Sequence, residues 1–469
     1  MVKVYIDWNV MSGMKNGHFP ELCKIIEKSN NLLLLYSTSH IGDILASYSE
    51  DENQKKIIEE DLEFITKLTN DLCAFTYKDK MFIDYTSPKE LLKERIESAS
   101  LFDDFSIDNL FKSIEEDENL KGIFAPYIKL LKSFSLEDSF KEAFNQPESA
   151  EMMNRMFPGL KNEMTMDGYF KAFGKMYKDL NEKEDYKHLR EDVQKIGINS
   201  AHFNEGKNPF ELIDRANEKF GLSNFDSNQY FRKNKNVPEW FNDITDAYLK
   251  LDMYGYKSDK IKVTEKKKST FKNTVEDAQH SAFASRCEFY ITQDERNFKK
   301  TKAVFKELEI ITYVLKPTEF VDFYKENLDY SGFDEHMENL IEIIKKGEEF
   351  QRVDYEESDD YVLVHHSQKF IFNFFNRIML PIGKNDSDTL FVLSKDHPSK
   401  LYYTVQNELK GMIKILVDQL GADDSGNLYY QFDEIKEKEW PGRIWTFDSI
   451  TIKLTRLNGW FQLYYFTNN

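Results

Sequence analysis

The tightest constraint on this chain is a strand–helix pattern that starts, stops and starts again. Val2 to Ile6 is a short apolar run ending at Asp7, and Leu32 to Leu35 is a second one. Helical spacing follows each, over Pro20 to Lys28 and over Ser39 to Tyr48, with Gly13 and Gly17 predicting a loop ahead of the first helix. Strand–helix–strand–helix is the order that builds a parallel sheet. From about Glu60 to Ser258 helix follows helix, with almost no strand signal. Ser87-Pro88 marks one start, an N-cap residue ahead of a proline at the first helical position. Ser135-Leu136-Glu137-Asp138 and Asn208-Pro209 mark others. Phe170, Phe173 and Tyr177 recur at helical spacing, which fits a bundle core. The sheet pattern then resumes: a strand at Phe289 to Ile291, a helix around Lys299 to Lys306, a strand at Ile310 to Leu315, and a helix begun by Pro317.

The expected organisation is α/β with a large helical insertion and a second unit. Residues 1–59 and 259–325 form the two parts of a parallel sheet flanked by helices, and 60–258 the all-α insertion. Residues 326–360 hold a helix near His336 to Phe350 and an acidic linker at Asp354 to Asp360; 361–469 form a C-terminal α+β domain. In that domain Phe370 to Met379 and Leu390 to Leu393 read as strands. Pro398 to Leu420 reads as a helix with Leu401, Val405, Leu409, Ile413, Leu416 and Leu420 on one stripe, stopped by Gly421. Ile444 to Phe466 reads as a hairpin turning at Asn458-Gly459.

Composition excludes several classes. The formal charge of −19 argues against a general nucleic-acid coat protein, though not against an enzyme with a local basic patch. The three cysteines, Cys23, Cys73 and Cys287, include no CxxC pair, which fits a reducing, cytoplasmic setting without disulfides or zinc. The N-terminus enters a strand with no signal-like segment, and no apolar run reaches the length of a membrane span. GxxxxGK, HExxH and GxSxG are absent.

Chemistry concentrates in Asp277 to Asp294, DAQHSAFASRCEFYITQD. It reads as a helix opened by Asp277, with Ala278, Ser281, Ala282 and Ser285 on one close-packing face, then a strand ending at Thr292-Gln293-Asp294. Asp7 ends the first strand. Asp43 lies one turn into the helix after the second strand, with His40 three residues before it on the same face. Ligands bind at the C-terminal edge of parallel strands. Asp7, Asp43, Asp277 and Asp294 could converge there, where crowded carboxylates call for hard divalent cations. Each acid alone is ordinary, and Asp277 taken alone reads as a helix cap before it reads as a ligand. His280, one turn after Asp277, could bind phosphate, relay a proton or make a structural hydrogen bond. His365-His366 is a poor metal pair, since strand neighbours face opposite ways. Lys260, Lys262, Lys266, Lys267, Lys268 and Lys272 crowd just ahead of Asp277, as a solvated linker or a phosphate-contacting strip.

Val2 to about Ser49 and Thr274 to about Phe320 resemble the PIN-domain nucleases. The resemblance rests on Asp7-Trp8-Asn9 after the first strand, the Ser/Thr-rich entry to the helix of Asp43, Asp277 with its small-residue helix, and Thr292-Gln293-Asp294 followed by a strand and Lys316-Pro317-Thr318-Glu319-Phe320. It implies Mg²⁺ or Mn²⁺ held by Asp7, Asp43, Asp277 and Asp294, with Asn9 and Thr292 orienting neighbouring acids. It also implies a metal-dependent endoribonuclease, with RNA or single-stranded DNA as partner and a toxin or phage-defence setting. A structure-specific DNA nuclease and an inactive binding scaffold are the alternatives, and the C-terminal domain would take a regulatory protein partner. Asp43 departs from the family, which usually has Glu there, and the domain is split by an insertion larger than itself.

Overall fold

The computed structural model describes residues 1–469 apart from 50, 100–128, 131, 183–185, 188–189, 192–193, 195–197, 204–205, 220–236, 258–261, 265–266, 270, 330–331, 348, 355–359, 384–387, 397–401, 432–433, 435–439, 458–459 and 469. The chain opens with β1 (Val2–Ile6), α1 (Trp8–Lys15), α2 (Pro20–Lys28), β2 (Leu32–Ser37), α3 (Thr38–Ala46) and α4 (Glu52–Thr69). Next come β3 (Leu72–Tyr77), β4 (Lys80–Tyr85) and α5 (Pro88–Ala99). The helical stretch contains α6 (Glu137–Asn145), α7 (Pro147–Met156), α8 (Met166–Glu182), α9 (Pro209–Lys219) and α10 (Glu239–Met253). A short hairpin, β5 (Lys262–Thr264) and β6 (Lys267–Ser269), leads into α11 (Phe271–Ala284), β7 (Phe289–Ile291), α12 (Glu295–Glu307), β8 (Tyr313–Leu315) and α13 (Pro317–Asn327). The rest comprises α14 (Phe333–Lys346), β9 (Gln351–Asp354), β10 (Tyr361–Ile371), β11 (Phe375–Ile382), β12 (Thr389–Ser394), α15 (Tyr402–Leu420), β13 (Trp440–Thr446), β14 (Ile450–Leu457) and β15 (Trp460–Thr467). Among the described residues no helix is long and apolar enough to cross a membrane.

Both halves of the interrupted pattern enter one six-stranded sheet, in the order β4-β3-β2-β1-β7-β8. β1 lies between β2 and β7 and pairs parallel with each: Val2 sits opposite Leu32, and Val4 opposite Phe289. Only the β3–β4 pair is antiparallel. β1 and β7 are buried along their whole length, as strands covered on both faces should be.

Several expectations change. β3 and β4 fall inside the stretch read as all-helical, yet they extend the sheet. Their connection is Lys78-Asp79, both at positive φ (46° and 61°). That is the backbone a two-residue hairpin turn needs, but Asn-Gly and Asp-Gly are its usual carriers, so Lys-Asp hid it. Gly13 lies inside α1, not in a loop. A Cβ there would come within 2.6 Å of the Phe19 ring, so the glycine lets that ring close over the helix. In the C-terminal domain, the segment read as one strand over 370–379 contains a turn. Phe372 and Asn373 both have positive φ, and β10 folds back there into β11.

The second sheet is antiparallel, in the order β13-β14-β15-β12-β11-β10-β9. β9 lies between the segments read as helix and as acidic linker, where no strand was expected. α15 carries the expected stripe: Val405, Leu409, Ile413 and Leu416 are buried and share a core with Leu393, Trp445, Leu454 and Leu463. Leu401 and the Asn458-Gly459 turn lie outside the described residues. His365 packs against the Phe350 ring while its neighbour His366 pairs with Asp396, so the two do not act together.

Two buried ionic clusters join these units. Lys3 of β1 contacts Glu408 of α15 at 2.7 Å and Glu288, just before β7, at 3.0 Å. Lys395 completes a square of alternating charge, 2.7 Å from Glu288 and 3.5 Å from Glu408. In the other cluster, Asp252 at the end of α10 takes Lys300 of α12 at 3.0 Å, Arg190 at 2.9 Å and the Tyr186 hydroxyl at 2.8 Å. Burial would push Glu408 up, but Lys3 and Lys395 outweigh it and hold the carboxyl at about 2 instead of the ordinary 4.5. A depressed folded pKa stabilises above the unfolded value and is lost below it. Stability should therefore fall as pH drops from about 4.5 toward 2, and Glu408→Gln should flatten that part of the curve. Urea unfolding across this range measures it; equal slopes in both proteins would contradict the ionic account.

Candidate metal centre

The register of β1 against β7 sets Ile6 opposite Ile291, so Asp7 and Thr292 leave the sheet side by side at its C-terminal edge. Asp7 is 2% exposed. Its Oδ2 accepts from Thr292 Oγ1 at 2.6 Å, Asn9 Nδ2 at 2.7 Å and Asn297 Nδ2 at 3.2 Å. All three described donors go to one oxygen, which fixes the carboxylate plane. Burial raises the Asp7 pKa, Asp43 and Asp294 add to the rise, and His280 and Thr292 oppose it. Burial is the first cause of that rise, and the neighbouring acids come after it.

Asp43 and His280 meet across α3 and α11. His280 Nε2 lies 2.9 Å from Asp43 Oδ2, and Nδ1 lies 2.7 Å from the Tyr5 hydroxyl. Tyr5 in turn contacts Ser37 Oγ at 2.5 Å. Burial alone would lower the His280 pKa; Asp43, then Asp7 and Glu276, outweigh it and hold the imidazole above its usual value. One ligand atom from each of Asp7, Asp43 and His280 lies within 4.8 Å of the others. Tyr5 at Nδ1 holds the ring so that Nε2 faces the carboxylates, the arrangement that orients metal-binding histidines.

The remaining predicted residues divide. Asn9 and Thr292 both donate to Asp7. His40 does not pair with Asp43: its Nε2–H donates to the Ile6 carbonyl at 2.8 Å, and Nδ1 accepts from the Ser37 amide at 3.0 Å. Burial lowers its pKa well below the ordinary value, with His280 adding, so His40 is a neutral structural brace. Asp277 does not open its helix; α11 begins at Phe271, and Asp277 lies half-buried in the second turn. Asp294 caps α12, its Oδ1 accepting the Arg296 and Asn297 amides at 2.8 Å each. Neither Asp277 nor Asp294 belongs to the 4.8 Å cluster. Asp294 is still near enough to raise Asp7, and Asp277 to raise Tyr290. Of the predicted lysines, Lys260 and Lys266 lie outside the described residues. Lys262, Lys267 and Lys268 are described only as backbone of the β5–β6 hairpin, and Lys272 is half-buried in the first turn of α11.

The sequence reading missed Glu276, Tyr5 and Asn297. Glu276 is four residues before His280, so helical spacing alone puts both on one face. Its carboxylate is buried, 3.5 Å from Arg95 of α5, and Oε2 has no hydrogen-bond partner among the described residues. Burial raises its pKa, Arg95 opposes this, and Asp43 adds to the rise. Gly42, beside Asp43, makes room for it: a Cβ there would lie 2.1 Å from Glu276 Oε1. Compared with known protein families, with curated proteins and with solved structures, the chain matches none.

Gly42→Ala must displace the Glu276 carboxylate. It should destabilise the wild type yet be neutral or favourable beside Glu276→Ala, since alanine is the better helix former. The double-mutant cycle should return a coupling of about 0.5–3 kcal/mol, the range for residues in contact. Additive effects would mean the two do not touch.

Proposed function

We propose that this protein is a metal-dependent endoribonuclease with a PIN-like catalytic sheet split by the helical insertion. The observation that carries the proposal is the meeting of Asp7, Asp43 and His280 at the C-terminal edge of the parallel sheet. Two carboxylates and an imidazole fit a divalent cation, and the imidazole favours Mn²⁺ over Mg²⁺, because nitrogen ligands suit the softer transition ions. Asp7, Asp43 and His280 would hold it, with Asp294 and Asp277 beside the same edge. Held there, such a cation activates a water and offsets charge on a phosphoryl group.

The protein's own groups prepare that chemistry. Asn9, Thr292 and Asn297 keep Asp7 in one orientation. Tyr5 keeps His280 Nε2 directed at Asp43. A cation taking Nε2 must displace the proton that pairs His280 with Asp43, so affinity should weaken as pH falls. That internal ion pair also gives the inactive-scaffold reading its one specific support, since it supplies a positive charge without a metal. A DNA-cleaving role has no observation of its own. A cytoplasmic setting, a toxin or defence role and a regulatory partner for the C-terminal domain belong to the proposal as family expectations.

Asp7→Asn should abolish cleavage of labelled RNA in Mn²⁺ while leaving the fold intact. In EDTA its melting temperature should equal or exceed that of the wild type, because a crowded buried charge is gone. Excess Mn²⁺ should raise the melting temperature of the wild type through binding to the folded state, and much less that of Asp7→Asn or His280→Ala. Full cleavage by Asp7→Asn, or equal Mn²⁺ shifts in all three proteins, would defeat the assignment.

A further inference from the structure

An acidic chain that handles RNA needs a positive approach to its site, and α12 offers one. Its inner side holds the buried residues Asn297, Lys300, Thr301, Val304 and Phe305. Lys299, Lys302 and Lys306 follow one another by three and four residues, the spacing that keeps them on the opposite side. Lys302 and Lys306 are exposed and Lys299 partly so. Lys300 differs from these three, being buried against Asp252. Lys316, just after β8, lies beside the stripe with its ammonium donating to the Gln293 carbonyl at 2.9 Å; its Nζ and that of Lys302 lie 4.5 Å and 4.3 Å from the Phe298 ring centroid. Glu295 is the acid at the head of the stripe, paired with Lys299 at 3.0 Å and Lys316 at 3.3 Å.

The stripe starts at the metal centre. Asn297, in the first turn of α12, donates to Asp7, and Asp294 caps the same helix. From there α12 leads away from the catalytic edge, and at about 1.5 Å per residue Lys306 lies roughly 18 Å along it from Asp294. We propose that the outward face of α12, with Lys299, Lys302 and Lys306, is the track on which the phosphate backbone of a single-stranded RNA lies as it reaches the metal centre. The choice of RNA rests on the nuclease reading; the choice of a phosphate backbone rests on charge. Lysine acts as a point charge toward phosphate and reads no bases, so the track positions the substrate without selecting sequence.

Binding is tested apart from cleavage, by fluorescence anisotropy of a labelled single-stranded RNA in EDTA across a salt series. The combined variant Lys299→Ala, Lys302→Ala and Lys306→Ala should flatten the slope of log affinity against log salt by about two units, at roughly 0.7 per phosphate contact. The corresponding Lys→Arg variant should keep the wild-type slope, which separates lost charge from lost fold. Lys345→Ala with Lys346→Ala, on α14, removes charge elsewhere and should change nothing. An unaltered slope in the triple Ala variant overturns the track and leaves the nuclease reading standing. Wild-type protein that binds with the expected slope yet cleaves neither RNA nor DNA in Mn²⁺ overturns the nuclease reading and leaves the track. Equal flattening by the α14 variant overturns the track, since charge would then act without regard to place.

Discussion

The pairing of β1 with β7 is the contact on which the rest of the molecule depends. It joins segments separated by the whole insertion, and it does so through backbone hydrogen bonds that a few residues supply. β7 has only three residues, too few to specify a register by themselves. The register is held from both ends instead. At one end the Lys3 amide donates to the Glu288 carboxylate at 2.6 Å, and the Lys3 carbonyl accepts the Glu288 amide. At the other, the Asp7 amide donates to the Ile291 carbonyl, and the Asp7 carboxylate takes Thr292. A slip of one residue would reverse every side chain between the two faces. It would also break both polar clasps, so the same clasps that fix the strand place the first acid of the site.

The position of the C-terminal domain follows from this. Its ionic contact with the α/β unit is at Lys3, the start of β1, while Asp7 follows the end of that strand. Four residues at about 3.3 Å each separate the two by roughly 13 Å. The domain is thus fastened to the N-terminal edge of the sheet and leaves the edge bearing the acids to other elements. What flanks that edge is α3, α5 through Arg95 and Glu276, α11, and the start of α12. The helical stretch reaches the sheet by a different route, through Asp252 and Lys300. Substitutions in the insertion and in the C-terminal domain should therefore act on the sheet through separate ionic clusters, with little coupling between them.

The sequence made the parallel strands legible because buried strands read as unbroken apolar runs, and β1, α2, β7 and the start of α13 stand where the pattern put them. It hid β3 and β4 because their turn used Lys78-Asp79, and it hid the β10–β11 turn because Phe372-Asn373 looks like strand interior. The site was legible where a residue's role depends on chain neighbours. Asn9 and Thr292 flank strand ends, where the resemblance set them beside an acid, and both donate to Asp7. It was not legible where the role depends on which face of a helix turns inward. His40 and His280 stand in similar relations to nearby acids along the chain. The fold buries His40 against Ile6 and turns His280 to Asp43, and no local pattern separates the two.

Burial decides how the acids divide their work. Asp7 and Glu276 are raised because water has been removed from around them, while Asp294 stays exposed and spends one oxygen on a helix cap. A site built only from exposed acids would gain little from a cation, since water and salt already screen them. One built only from buried acids would be protonated and neutral when empty. Here a buried, triply held carboxylate sits beside a half-buried one that pairs with an imidazole, and the two types of acid meet at a single edge. Against the burial that would lower it, Asp43 holds the imidazole above its usual value. Two differently solvated carboxylates and an imidazole thus lie within 4.8 Å of one another, at the edge of a parallel sheet where ligands bind.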